Sequence, residues 1–198
     1  MNANIVLTGL MGGGKSSVGK MIAKQLKNYT FVDVDDVIVD LEGMSIPEIF
    51  SKKTEKYFRE TEKNVIAELS EEENLIIALG GGAFEDKETR EKLKENSIVF
   101  YLKADVNTLY DRIKDDTNRP LLQCDNPMEK LKELLEKREP NYLKADYVID
   151  TEGINTSDIA KKVIYGYDII ESNVGKTKIN LTKNLRLIMR IFQLRIMK

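Results

Sequence analysis

The run Gly9-Leu10-Met11-Gly12-Gly13-Gly14-Lys15-Ser16 satisfies G-x-x-x-x-G-K-[ST], the pattern of a loop that cradles phosphate. Its glycines let successive backbone N–H groups close around phosphate oxygens, and a helix beginning at its end adds a positive dipole. The Lys15 ammonium reaches the β- and γ-phosphates, and the Ser16 hydroxyl is the type of group that ligates Mg²⁺. The mechanism requires a strand before the loop and a helix after it. Ile5-Val6-Leu7-Thr8 reads as a short buried strand, and Val18, Met21, Ile22 and Leu26 recur at helical spacing. The loop therefore implies a bound nucleoside triphosphate and leaves the phosphate acceptor to be found.

Three further groups have the right chemistry for phosphoryl transfer. Asp33-x-Asp35 ends the apolar run Tyr29–Val34, and read as a strand its alternation turns both carboxylates to one side. One is placed to hold Mg²⁺ through water and the other to accept a proton from a hydroxyl. An isolated pair of this kind is more often a solvated acidic turn; a neighbouring phosphate loop reverses that preference. Gly80-Gly81-Gly82 follows the buried run Asn74–Leu79, and three glycines cost too much chain entropy for an ordinary turn. They point to backbone that approaches a ligand closely. Arg59, Arg112, Arg119 and Arg138 supply planar forks suited to carboxylate and phosphate. Any single arginine is usually a surface charge, but Arg119 lies in Asn118-Arg119-Pro120-Leu121-Leu122, where a lid would carry it onto the triphosphate.

Elements that would position these groups alternate along the chain. Apolar strands at 5–8, 29–36, 74–79, 97–102 and 147–149 are separated by helical patterns, with helices over 37–70, 86–95, 128–137 and 156–170. Asp105 is an N-cap for a further helix carrying Leu109 and Ile113. Residues 115–127 are polar and aperiodic, which reads as a mobile loop. The pattern predicts an α/β fold with three layers, a five-stranded parallel sheet flanked by helices.

Composition narrows the chemistry. The 198 residues include no histidine, so histidine bases, phosphohistidine intermediates and most zinc sites are excluded. Acid–base work must fall to Asp, Glu, Lys or Tyr. A single cysteine, Cys124, excludes an internal disulfide framework and fits a reducing cytoplasm. No apolar run approaches the ~20 residues that span a bilayer, and no secretory leader is expected at the N-terminus. The net charge of −2 is uneven: residues 174–198 carry seven basic side chains and no acidic one, which puts −9 on the rest. An acidic body argues against nucleic acid as a partner.

The phosphate loop, Asp33-x-Asp35, Gly43-Met44-Ser45-Ile46-x-Glu48-Ile49-Phe50, Phe58-Arg59-x-x-Glu62, Gly80-Gly81-Gly82, Arg119-Pro120-Leu121-Leu122 and Arg138-x-x-x-Tyr142 resemble shikimate kinase in order and approximate spacing. The likeness runs from about residue 3 to about residue 168. It implies a P-loop NTPase fold with a lid near 113–125, and ATP-dependent phosphorylation of the shikimate 3-hydroxyl on the route to chorismate. It further implies Lys15, Asp35 and Arg119 as catalytic residues, with Asp35 holding the acceptor hydroxyls and acting as base. Gly12, Gly13, Gly14, Lys15, Ser16, Ser17, Arg112 and Arg119 would bind ATP, with Arg112 against the adenine. Arg59 and Arg138 would clamp the shikimate carboxylate, alongside Gly80, Gly81 and Gly82, and Gly81 would offer its N–H. Ser16, with Asp33 through water, would hold Mg²⁺.

Two positions depart from that family's pattern. Thr54 stands where the family usually has glycine, and Glu152-Gly153-Ile154-Asn155 replaces a stretch that often carries an adenine-facing arginine. The chain also continues well past the resemblance, so we divide it into a kinase domain, 1–172, and an extension, 173–198. In the extension Leu181, Leu185, Ile188, Met189, Phe192 and Ile196 form one helical stripe among basic residues. Self-docking or a subunit contact, disorder, and an anionic surface or partner all remain open for it. The expected partners are shikimate and ATP, without nucleic acid or membrane, in a cytoplasmic monomer whose tail leaves self-association open. The rivals are another small-molecule P-loop kinase, of the gluconate or nucleoside-monophosphate type, and a non-enzymatic nucleotide-binding regulator.

Overall fold

A computed structural model describes residues 3–115 and 124–174. The chain divides into two compact units, Met1–Tyr167 and Asp168–Lys198. The sheet and the cleft described below belong to the first. Arg119 with the rest of its Pro-Leu-Leu segment, and the apolar stripe of the extension, lie outside the described residues.

Five strands, β1 (Asn4–Thr8), β2 (Thr30–Asp33), β3 (Leu75–Ala78), β4 (Ser97–Lys103) and β5 (Tyr147–Asp150), form one sheet in the order β2-β3-β1-β4-β5. Every pairing is parallel, with Ile5 opposite Ile76 on one side and Ile98 on the other. The central strands are mainly apolar because both faces are covered by helices; Ile5, Val6, Leu7, Ile76, Ile77, Val99 and Phe100 are buried. The edge strand β5 alternates instead, burying Tyr147 and Ile149 and exposing Val148. Buried Asn4 sets the β1–β3 register: its amide donates to the Glu72 carbonyl (2.7 Å) and accepts from the Leu75 N–H (2.9 Å).

The connections are α1 (Lys15–Gln25), α2 (Val34–Glu42), α3 (Ile46–Lys52), α4 (Glu55–Glu71), α5 (Lys87–Asn96), α6 (Val106–Ile113), α7 (Pro127–Tyr142) and α8 (Thr156–Val174). Asp105 caps α6 by accepting from the Asn107 N–H (2.8 Å), as the sequence predicts. Ser45 and Glu48 close a capping box at the start of α3. At Gly19 α1 meets β2 so closely that a Cβ would run into the Phe31 ring.

Two expectations need correction. The second strand stops at Asp33, and Val34-Asp35-Asp36 already belong to α2. Asp33 caps that helix, its Oδ1 accepting from the Asp35 N–H (3.1 Å), so a local hydrogen bond overrides the strand pattern. The helix expected over 128–137 runs instead from Pro127 through Pro140 to Tyr142. Proline removes one backbone donor and ordinarily ends a helix, but buried Arg138 and Tyr142 anchor the last turn from the far side.

Candidate active site

Because all strands are parallel, the loops after β1, β2 and β3 emerge along one edge of the sheet, which is where open α/β sheets bind ligands. Those three loops carry the phosphate loop, the aspartates and the triple glycine. They line a cleft of about 690 Å³ with Arg59 and Glu62 from α4, Arg112 from α6 and Arg138 from α7. Phe50 and Phe58, with ring centroids 5.1 Å apart, supply an apolar wall. Among the expected residues on the described chain, the cleft brings together Gly12, Gly14, Lys15, Ser16, Ser17, Asp33, Asp35, Arg59, Gly80, Gly81, Gly82, Arg112 and Arg138. Gly13 lies beneath, its N–H donating to the Leu10 carbonyl (3.1 Å).

The phosphate loop takes its shape from glycine. Gly9, Gly12 and Gly14 have φ of 136°, 81° and 83°, values that side chains with a Cβ rarely adopt. At Gly12 a Cβ would also stand 2.6 Å from the Leu109 carbonyl oxygen. Gly14 begins α1 without any side-chain cap, so the first turn presents backbone donors to the cleft. Lys15 Nζ donates to the Gly9 and Leu10 carbonyls (2.8 and 3.0 Å), folding over the loop. Arg112 donates to the Gly12 carbonyl (3.1 Å), which puts its guanidinium against the phosphate loop.

Ser16 Oγ donates to Asp33 Oδ2 at 2.5 Å. Two hard oxygen donors, one of them anionic, fit Mg²⁺, which keeps waters and uses few protein ligands beside phosphate. No cluster of three or more His, Cys, Asp or Glu side chains that could hold a metal occurs among the described residues.

On the opposite side of the cleft Arg59 Nη1 pairs with Glu62 (2.7 Å), and Nη2 lies 3.4 Å from Glu55. Burial by itself would lower the Arg59 pKa, but the attraction of Glu62 and Glu55 leaves it raised. Glu62 is 2% exposed and its pKa is raised. Burial is the main cause; the Asp35 charge adds to it, and Arg59 and Arg138 oppose it. Its Oε1 meets no hydrogen-bond partner among the described residues and, with Asp35 Oδ1, crowds the place a Gly80 Cβ would take. Glu62 is the residue that sequence reasoning passed over. It stands inside Phe58-Arg59-x-x-Glu62, and the signal was its i, i+3 spacing from an arginine on a helix.

Arg138 is 7% exposed and its Nη1 donates to the Gly81 carbonyl (3.1 Å). At Gly82 a Cβ would stand 2.6 Å from the Arg59 guanidinium carbon. So a side chain at Gly80 would displace the carboxylates, and one at Gly82 would displace an arginine. At Gly80 and Gly82 the close approach is thus of protein side chains, whereas a Gly81 Cβ would meet only ordinary contacts.

A family model described as shikimate kinase matches residues 11–167. A shikimate kinase of Thermodesulfovibrio yellowstonii is 48% identical over 174 residues, 88% of this chain and 99% of its own. The solved shikimate kinase of Acinetobacter baumannii in complex with shikimate superposes with a TM-score of 0.81 at 41% identity, covering 87% of this chain and 95% of that one. The Aquifex aeolicus shikimate kinase gives 0.74 at 35%, over 86% and 98%. A gluconokinase from Sinorhizobium meliloti reaches 0.57 at 19% identity, over 89% and 98%, a likeness of fold alone.

Proposed function

The chain belongs to the shikimate kinase family, and from that premise we propose how its residues divide the work. The enzyme phosphorylates the 3-hydroxyl of shikimate with ATP, giving shikimate 3-phosphate and ADP, within the biosynthesis of chorismate and aromatic amino acids. The observation that supports the assignment of roles is the convergence of Asp35, Arg59 and Arg138, with Glu62 behind Arg59, opposite the phosphate loop.

In our reading the triphosphate lies over Gly12–Ser17, with Lys15 at the phosphate in transit and Arg112 flanking the loop. Lys15 leaves its two loop carbonyls for the phosphate when ATP enters, an exchange of neutral acceptors for a charged one. Ser16, with Asp33 through water, would hold Mg²⁺, which when bound would neutralise charge on the phosphates. Arg59 and Arg138 take the shikimate carboxylate, and the N–H groups of the glycine turn meet its polar atoms. Asp35 orients the 3-hydroxyl and accepts its proton as the phosphoryl group arrives. A lid carrying Arg119 excludes water, which would otherwise compete as acceptor. Cytoplasmic location, a monomeric state and the division into 1–172 and 173–198 belong to the same proposal. No described helix is long and apolar enough to cross a membrane.

A coupled ADP-release assay with ATP, Mg²⁺ and a panel of shikimate, gluconate and nucleoside monophosphates tests the acceptor. Turnover is expected with shikimate alone; turnover with another member of the panel would overturn the acceptor assignment.

A further inference from the structure

The three glycines of the turn after β3 each present a carbonyl, and each carbonyl is held differently. Gly80 O accepts from the Ala83 N–H and Gly82 O from the Glu85 N–H, both at 3.1 Å within the turn itself. Gly81 O has no such local donor. It is held by α7, from which Arg138 Nη1 donates at 3.1 Å and the Tyr142 hydroxyl donates as well. Among the described residues the Gly81 and Gly82 N–H groups meet no acceptor. The turn thus spends its carbonyls on the protein and keeps two donors for something else.

We propose that Tyr142 is a positioning residue for the acceptor half of the cleft, its hydroxyl fixing the Gly81 carbonyl and with it the Gly82 N–H, one of the two donors the turn offers to shikimate. The proposal rests on the reading that this turn and Arg138 bind the acceptor. Three consecutive glycines have no side chains to restrain them. Because the peptide is planar, fixing the Gly81 carbonyl also fixes the N–H of Gly82 on the other side of the same unit. Arg138 and Tyr142 stand one turn apart on α7 and use both lone pairs of one oxygen. Arg138 has a second task, the substrate carboxylate. Tyr142 is fully buried, and its hydroxyl also meets the Arg138 guanidinium, so the two side chains hold the turn together.

The plainer alternative is a core aromatic. Tyr142 does pack against Tyr101, ring centroids 5.1 Å apart. Phenylalanine would serve that contact equally; the hydroxyl is what reaches Gly81.

Y142F retains the ring and its packing, which makes it the test. The shikimate KM should rise about 3- to 10-fold, the scale of one buried hydrogen bond, with kcat and the ATP KM within about twofold. Calorimetric binding of shikimate without nucleotide should weaken by the same factor. Y101F, which removes a hydroxyl from the same ring pair without touching Gly81, should leave the shikimate KM unchanged. An unaltered shikimate KM in Y142F, or equal rises in both substrates' KM, would overturn the proposal. R138A separates the two levels of inference. If it raises the shikimate KM and Y142F does not, the positioning role fails by itself. If neither does, the assignment of the turn to the acceptor fails with it.

Discussion

Asp35 and Glu62 are two carboxylates beside the same glycine with different environments. Asp35 lies at the start of α2 facing the cleft, whereas Glu62 is sealed behind Arg59. If Asp35 takes the proton from the acceptor, Asp35→Asn should lower kcat by about 10²- to 10⁴-fold. Equilibrium binding of ATP should stay within about twofold, because the phosphate loop is untouched; a proportional loss of nucleotide binding would place Asp35 on the wrong substrate. Glu62 makes a prediction about pH. Its folded-state pKa is raised above the usual 4.5, chiefly by burial. It therefore binds a proton more tightly folded than unfolded, and stability falls as pH rises from about 4.5 to the folded value, then levels. Glutamine has no such limb. Urea midpoints measured in steps from about pH 4.5 to about 8 should show E62Q gaining on the parent protein as pH rises. Parallel profiles would mean that Glu62 titrates normally. The same variant should raise the shikimate KM, since Arg59 loses its ionic partner.

Among the elements, the joint between α3 and α4 carries a local conflict. Thr54 has φ 143° and ψ 161°, a region almost confined to glycine. Its hydroxyl gives something back by capping α4 at the Tyr57 N–H (3.2 Å). Nearby, Lys53 and Tyr57 both bond Glu42 at the end of α2, and these hydrogen bonds, Lys53 first, lower the Glu42 pKa. The backbone is thus held in an unfavourable state by its neighbours. Relief of strain worth about 1–3 kcal/mol outweighs the flexibility glycine adds, about 0.5–1, and a few tenths for the cap. Thr54→Gly should accordingly stabilise the protein by about 0.5–1.5 kcal/mol in urea unfolding, with Arg59 left in register and the shikimate KM unchanged. A drop in stability would show that the cap matters more than the strain.

For the whole molecule, the relative from Thermodesulfovibrio is matched over 99% of its length by 88% of this chain. The family match ends at residue 167, and among the described residues all that line the cleft lie before it. A protein ending at residue 172 should keep shikimate-dependent turnover and the thermal midpoint of the full chain. Loss of turnover with the fold intact would give the extension a part in catalysis.

The sequence by itself determined the strand–loop–helix of the phosphate site, the α/β class and the residue types available for catalysis. Each follows from short-range facts: glycine where φ is positive, apolar runs where strands are covered on both faces, no histidine anywhere. It also carried the ordered motifs that identify the family. Boundaries set by competition between local and distant bonds were not legible. Strand pattern favoured extension through Asp36, yet the Asp33 cap starts α2 at Val34; proline favoured an end to α7 before 140, yet bonds to Gly81 carry it to Tyr142. Nor could spacing reveal that Glu62 is sealed beside Asp35, or that Tyr142 reaches the glycine turn 61 residues before it. Burial and long-range hydrogen bonds exist only once the sheet has brought the segments together, and they decided which carboxylate is sealed behind Arg59 and what holds the glycine turn.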